Sequence, residues 1–275
     1  MLKCPVCNEK LNKVNSSYIC KNKHNYDISK YGYTNLLLAN HYHSLHPGDD
    51  KEMVMARKDF FNSDKYRILK EKLLEILKEY SKKETILCDV GCGEGYYTNY
   101  LHYNLSKYVD VNTIGIDISK YAIIEACKES RNLSNIDYVI ANINRLPIIN
   151  ESCDIILNCF APIDDKEFYR ILKDKGVYIR VLPGKNHLFG LKQELYDNPY
   201  YNEKKEERLN GFILEKEIDI EDVIELNKKE IISLFKMTPY YYKSKTSSLD
   251  KLEQLYSLKT EISFNIRIYK KCHLN

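Results

Sequence analysis

From Thr85 onward, short apolar runs alternate with stretches of helical periodicity. The runs at 85–90, 113–118, 137–141, 154–160 and 177–182 are strand-length, and 95–105, 119–129 and 165–174 read as helices. That alternation predicts an α/β fold, a doubly wound and mostly parallel sheet with its ligand at the carboxyl ends of the strands. Upstream, 50–62 and 64–82 also read as helices. In the second, Tyr66, Leu69, Leu73, Ile76, Leu77 and Tyr80 fall on one face, a stripe that core packing explains. Near the tail, Ile262, Phe264, Ile266 and Ile268 alternate with polar residues across 261–269, which predicts a half-buried strand pairing antiparallel near the sheet edge. The charged stretch at 202–208 reads as a solvated loop.

Composition sets the class. The chain has 275 residues, 44% hydrophobic and 29% charged, enough for one large domain and a small one. No apolar run approaches the ~18 residues of a membrane-spanning helix, and no signal peptide opens the chain, so a cytoplasmic protein without a membrane partner is expected. The net charge of +3 is uneven. Residues 1–48 hold Lys3, Lys10, Lys13, Lys21, Lys23 and Lys30 against Glu9 and Asp27, with His24, His41, His43 and His46 in the same stretch. A basic end on a near-neutral body suggests a nucleic-acid contact, with a solvated surface as the plain alternative.

Nine cysteines without an export signal argue against a disulfide framework. Cys4-Pro5-Val6-Cys7 followed by Cys20 and His24 has the spacing of a tetrahedral zinc site, three thiolates and one imidazole. Residues 11–19 can form the hairpin that returns the chain to Cys20. So small a unit lacks a core, so the metal would supply most of its folding energy. With four protein ligands the site should be structural. Cys88, Cys92, Cys127, Cys153, Cys159 and Cys272 read as small core residues.

The sharpest signal is Asp89-Val90-Gly91-Cys92-Gly93-Glu94-Gly95, a glycine turn between a strand and a helix. Backbone N–H groups of such a turn come close to a nucleotide-like ligand. Asp117, about 20 residues on at the end of the next strand, is where an acid would hydrogen-bond a ribose. The dinucleotide pattern G-x-G-x-x-G fails, because Tyr96 occupies its third glycine position. The alternating Gly91, Gly93 and Gly95 after Asp89 resemble the first motif of S-adenosylmethionine-dependent methyltransferases. That ligand has no pyrophosphate, so an acidic Glu94 inside the turn is tolerated.

Taken whole, the chain resembles the large-subunit (23S) rRNA (guanine-N1-)-methyltransferase family. The likeness runs from the Cys-Pro-x-Cys ribbon through 30–37, Pro47-Gly48-Asp49, the glycine turn, Arg145-Leu146-Pro147, Ala161-Pro162, Pro183-Gly184 with His187, and Met237-Thr238-Pro239. It implies a class I (Rossmann-like) methyltransferase sheet with an N-terminal zinc ribbon. The division would be an RNA-recognising ribbon at 1–34, a connector and helices at 35–84, and the methyltransferase domain at 85–275. It implies methyl transfer from S-adenosylmethionine to N1 of one guanine in a domain II hairpin of the large rRNA, by a homodimer with structural zinc. Tyr66, Gly93, Glu94 and His187 would contact the cofactor beside Asp89 and Gly91, with Asp117 at the ribose and Asn142 at the adenine edge. Core packing remains the alternative for Tyr66, and a helix cap for His187. No catalytic base is assigned: Asp164, Asp165 and Glu167 lie near the fourth strand's end, where a helix N-terminus also favours acids. Asn198-Pro199-Tyr200 lies well after the fifth strand and reads as a loop rather than an amine-methyltransferase signature. The competing function is a methyltransferase for a small molecule or another RNA, sharing only the core.

Overall fold

The computed structural model describes residues 1–38, 48–203, 207–243 and 246–272. His41, His43, His46 and Pro47 lie outside the described residues. A small antiparallel sheet opens the chain: β1 (Leu11–Val14), β2 (Ser17–Cys20) and β3 (Asn25–Asp27). Asn15, at φ 53°, lets a two-residue turn join β1 to β2. The next strand, β4 (Tyr33–Asn35), leaves this sheet and pairs parallel with the edge of the main one.

Two helices follow, α1 (Lys51–Phe61) and α2 (Arg67–Tyr80). Asp50 caps α1 by accepting from the Met53 N–H. Asp64, at φ 56°, breaks the helix expected from residue 64, so α2 begins after Tyr66 and buries Leu69, Leu73, Ile76 and Leu77. The alternating region then runs β5 (Glu84–Val90), α3 (Tyr96–Leu105), β6 (Asp110–Asp117), α4 (Lys120–Glu129), β7 (Ile136–Ile140), β8 (Cys153–Cys159), α5 (Asp165–Ile171) and β9 (Leu172–Pro183). The last third is α6 (Phe189–Leu195), β10 (Phe212–Asn227), α7 (Lys228–Lys236), α8 (Tyr240–Lys243), α9 (Thr246–Glu253) and β11 (Ser257–Lys271).

The main sheet has the order β10-β11-β9-β8-β5-β6-β7-β4. From β4 to β9 the pairs are parallel; β11 and β10 are antiparallel to their neighbours. Chain order reverses between β5 and β8, so the glycine turn after β5 stands at the switch point where such sheets bind ligands. One core layer joins α2, α3, α6 and α7 to the sheet; the opposite layer joins the ribbon and α5.

Three further expectations change. The helix expected to reach residue 174 ends at Ile171, because Leu172 already pairs with Cys153 as β9. The tail strand lies one place inside the edge, covered by β10, so its polar face (Ser263, Asn265 and Arg267) is buried too. The stretch at 202–208 is pinned at both described ends: Asn202 accepts from the buried Lys192 ammonium at 2.7 Å, and Glu207 pairs with Arg180 at 3.0 Å. Among the other cysteines, Cys88, Cys92, Cys127 and Cys153 are buried as expected, whereas Cys159 and Cys272 are half-buried.

Candidate cofactor and metal sites

The glycine turn follows directly from β5. Gly91 and Cys92 donate their N–H groups to the Ile116 carbonyl, which ties the turn to β6. Gly91 stands at φ +82°, and a Cβ there would come within 2.3 Å of the Ala161 Cβ, so the turn and the loop after β8 touch through a missing side chain. Gly93 is also left-handed, at φ +55°, but a Cβ there would meet only the Arg57 Nη1 at 3.5 Å. Space opens at Gly93, where a ligand can approach the backbone.

Asp117, at the end of β6, accepts from the Gly93 N–H at 2.9 Å and the Ser119 N–H at 2.8 Å. The two sequence features expected to act together are therefore hydrogen-bonded. Burial raises the Asp117 carboxyl above its ordinary range, against these two donors and Arg57. Glu94 points inward, 6% exposed, with its carboxylate 3.4 Å from Arg57 Nη1. Burial pushes its carboxyl up to about 7 despite the Arg57 charge. Arg57 also pairs with Asp49, whose carbonyl accepts from the Ser119 hydroxyl at 2.7 Å. Asp49 entered the sequence reading only through its motif, and Arg57 not at all: it lies on α1, far from the turn in sequence, and nothing local marks it.

Asp89 is buried beneath the turn. One carboxylate oxygen accepts from the Thr98 hydroxyl at 2.5 Å, and Oδ1 has no partner among the described residues. Burial raises this carboxyl to about 7, with Thr98 opposing. Asn158, also missed, donates to the Val90 and Pro162 carbonyls and leaves its own Oδ1 without a partner among the described residues. Buried acceptors without donors invite a ligand that carries N–H groups. Asp49, Glu94 and Asp117 act on one guanidinium, with Asp89 beneath the turn, an excess of negative charge that suits a ligand bearing a sulfonium and an ammonium.

Tyr66 and His187 meet across the site, the hydroxyl 3.2 Å from Nε2. The Ser263 N–H donates to His187 Nδ1 at 3.2 Å, so the neutral ring carries its proton on Nε2 and donates it to the Tyr66 oxygen. Burial, then the Lys192 charge, pushes the imidazole down to about 3, keeping it neutral. Tyr66 keeps its own hydroxyl proton for another acceptor. It precedes α2 rather than lying inside it, and His187 precedes α6 without capping its N–H groups. Asn142 lies at the end of β7, where its side-chain oxygen caps the 3-10 turn Ile143–Arg145 by accepting from the Asn144 N–H.

The three acids near the end of β8 have structural partners. Asp164 caps α5 through the Glu167 N–H, Asp165 holds the Asn210 amide, and Glu167 binds Arg170 and the Leu146 N–H.

At the other end of the chain, ligand atoms of Cys4, Cys7, Cys20 and His24 all lie within 4.8 Å of one another. The Glu9 backbone N–H lowers the Cys7 thiol to about 6, so a thiolate forms readily there. Three sulfurs and an imidazole at this spacing fit one tetrahedral zinc. The ribbon docks on the sheet domain through its own main chain: the Lys3 N–H donates to the Pro147 carbonyl at 2.9 Å, and the Arg145 side chain donates through Nη2 to the Pro5 carbonyl at 2.9 Å.

Comparison with known proteins finds a match for each of the two regions. Residues 2–45 match the zinc-ribbon family described as RlmA, N-terminal, and residues 88–179 match the family described as Methyltransferase domain. The chain is 28% identical to YxjB of Bacillus subtilis (strain 168), provisionally named a 23S rRNA (guanine-N(1)-)-methyltransferase, over 98% of this chain and 97% of that one. It is 29% identical to the 23S rRNA (guanine(748)-N(1))-methyltransferase of Streptomyces fradiae, over 68% of this chain and 65% of that one. A malonyl-[acyl-carrier protein] O-methyltransferase of Marinomonas sp. (strain MWYL1) is 28% identical over 124 residues, 42% of this chain and 44% of that one. The shorter match shows that a methyltransferase of another acceptor is similar to part of the chain, whereas the ribbon-bearing likeness extends along its whole length. The chain is an S-adenosylmethionine-dependent rRNA methyltransferase of class I fold with structural zinc, similar along nearly its whole length to a 23S rRNA (guanine-N1-)-methyltransferase.

Proposed function

We propose that this enzyme transfers a methyl group from S-adenosylmethionine to N1 of one guanine in a domain II hairpin of large-subunit rRNA. The observation that supports this most is the joining of ribbon and sheet. The Cys4-Pro5-Val6-Cys7 turn is held by Arg145, three residues after Asn142 at the carboxyl end of β7. An RNA gripped by the exposed Lys10, Lys23 and Lys30 would therefore be tethered beside the cofactor site.

S-adenosylmethionine supplies a methyl already activated on a sulfonium, so the protein's task is positioning. In this reading Asp117 takes the ribose hydroxyls with its remaining acceptor capacity, and Asn142 meets the adenine edge. Asp89 and Glu94 offer carboxylate oxygens to the ammonium. Tyr66, steadied by His187, turns its hydroxyl proton toward the cofactor, and Gly91 and Gly93 keep the turn clear of side chains. Guanine N1 must lose a proton to become nucleophilic. Asp164, Asp165 and Glu167 are held by other partners, and His187 Nδ1 already accepts from Ser263, so none of these is proposed as the base. N1 lies inside a base pair in duplex RNA, so an unpaired or flipped guanine is the acceptor. By the family resemblance the active form is a homodimer, working in the cytoplasm on large-subunit rRNA.

Reverse transcription across the large rRNA of cells with and without this protein tests the reading. A methyl on N1 blocks pairing, so a stop in domain II that vanishes with the protein is expected. Absence of any protein-dependent stop in that RNA would refute it.

A further inference from the structure

Phe160 is the first residue beyond β8, at the mouth of the cofactor site. Its backbone is left-handed, φ 56°, a conformation that costs a bulky side chain about 1–2 kcal/mol and that Gly or Asn adopts more readily. The strain is held in place by the Phe160 N–H, which donates to the Val181 carbonyl of β9 at 3.1 Å. Phe160 is 41% exposed, while its neighbours His187 and Phe264 are 8% and 0% exposed. Its ring lies 6.3 Å from the His187 ring with only 21° between their planes, and 5.8 Å from Phe264. The adjacent Ala161 is the residue that abuts Gly91 of the cofactor turn.

A core role explains none of this, because a core phenylalanine is covered and its backbone relaxed. Strain at a non-glycine residue persists where surrounding structure enforces it, and it clusters at functional sites. Here the strain turns an aromatic plane, backed by His187, outward beside the cofactor turn. We propose that Phe160 is the platform on which the acceptor guanine stacks once it leaves its helix. This inference rests on the rRNA reading above and adds the residue that receives the base. Stacking tolerates any purine, so Phe160 would hold the base in plane, leaving identity to hydrogen-bonding groups elsewhere.

The test uses the full-length, zinc-loaded protein, a transcript of the domain II hairpin and S-adenosylmethionine. Phe160→Asn removes the ring but suits the left-handed backbone, and Phe160→Tyr restores a plane. For Phe160→Asn the expected result is a thermal midpoint at or above wild type, S-adenosylmethionine affinity within about 3-fold, and kcat/KM for RNA reduced about 10- to 100-fold. Phe160→Tyr should lie within about 3-fold of wild type in all three. A Phe160→Asn enzyme with near-normal kcat/KM would overturn the proposal. So would a parallel loss of cofactor affinity, or failure of Phe160→Tyr to restore activity. A wild-type protein inactive on the hairpin would instead defeat the rRNA reading, and this inference with it. If Phe160→Asn does not fold, Phe160→Leu takes its place with the same expected loss and the same overturning outcomes.

Discussion

Alanine substituted at Gly91 and at Gly93 should have different consequences, although the two glycines stand two residues apart in the same turn. Both force a Cβ into the left-handed region, at about 1–2 kcal/mol, offset by about 0.4–1 kcal/mol from a stiffer unfolded chain. At Gly93 nothing else follows, since the nearest atom is the flexible end of Arg57 at 3.5 Å. At Gly91 the new carbon would lie 2.3 Å from the Ala161 Cβ, well inside the roughly 3.5–4.0 Å at which carbons rest. Ala161 has no rotamer with which to retreat, so the backbone after β8 must move by about 1 Å, an overpacking cost of about 1–3 kcal/mol. Gly91→Ala should therefore destabilise the protein by about 2–4 kcal/mol and Gly93→Ala by about 1 kcal/mol. Thermal midpoints should fall by roughly 5–12 °C and 2–4 °C respectively, read by circular dichroism in zinc-containing buffer. The displaced loop carries Phe160, and a misplacement of about 1 Å can cost on the order of 100-fold in rate, so turnover of Gly91→Ala should fall much further than its stability suggests. Equal midpoints for the two variants would refute the argument that Gly91 is required by contact with Ala161.

Three further outcomes are expected. Asp89 and Glu94 both titrate at about 7 because they are buried, so their folded-state values lie above the unfolded ones. The stability this contributes is complete below about pH 4 and lost as pH rises through 7, whereas binding a cationic cofactor needs the charged forms. S-adenosylmethionine affinity should therefore fall below pH 7 with proton release on binding, seen as buffer-dependent heats in calorimetry; a flat profile from pH 6 to 8 would count against it. Tyr66→Phe leaves the buried His187 Nε2–H without its acceptor, which should cost about 1–3 kcal/mol of stability and about 10-fold in cofactor affinity; an unchanged dissociation constant would separate Tyr66 from the cofactor. Elemental analysis should find one zinc per chain, and Cys20→Ser should lose it together with at least about 10-fold in hairpin affinity while cofactor binding stays within about 3-fold; intact RNA binding would argue against the ribbon as the grip.

Much of the architecture was legible because its signals are local. The zinc ligands fall at two short spacings, and the glycine turn joins an apolar strand to a helix, so neither needs knowledge of distant chain. Asp117 was found because a parallel neighbour ends at a fixed distance along the chain, and the structure joins it to Gly93 by one hydrogen bond. Other features depend on contacts between distant segments. Arg57 becomes part of the site only because α1 packs where its guanidinium meets Asp49 and Glu94. His187 has its tautomer fixed by a backbone N–H from β11, seventy-six residues later. Phe160 reads in sequence as one more aromatic at a strand end; its strained backbone and half-open ring exist only once β9 has pinned its N–H. The tail strand's place inside the edge was likewise decided by β10, whose pairing buries a polar face that alternation alone would have left in water. Periodicity reports which residues prefer to be covered, and only the assembled sheet decides what covers them.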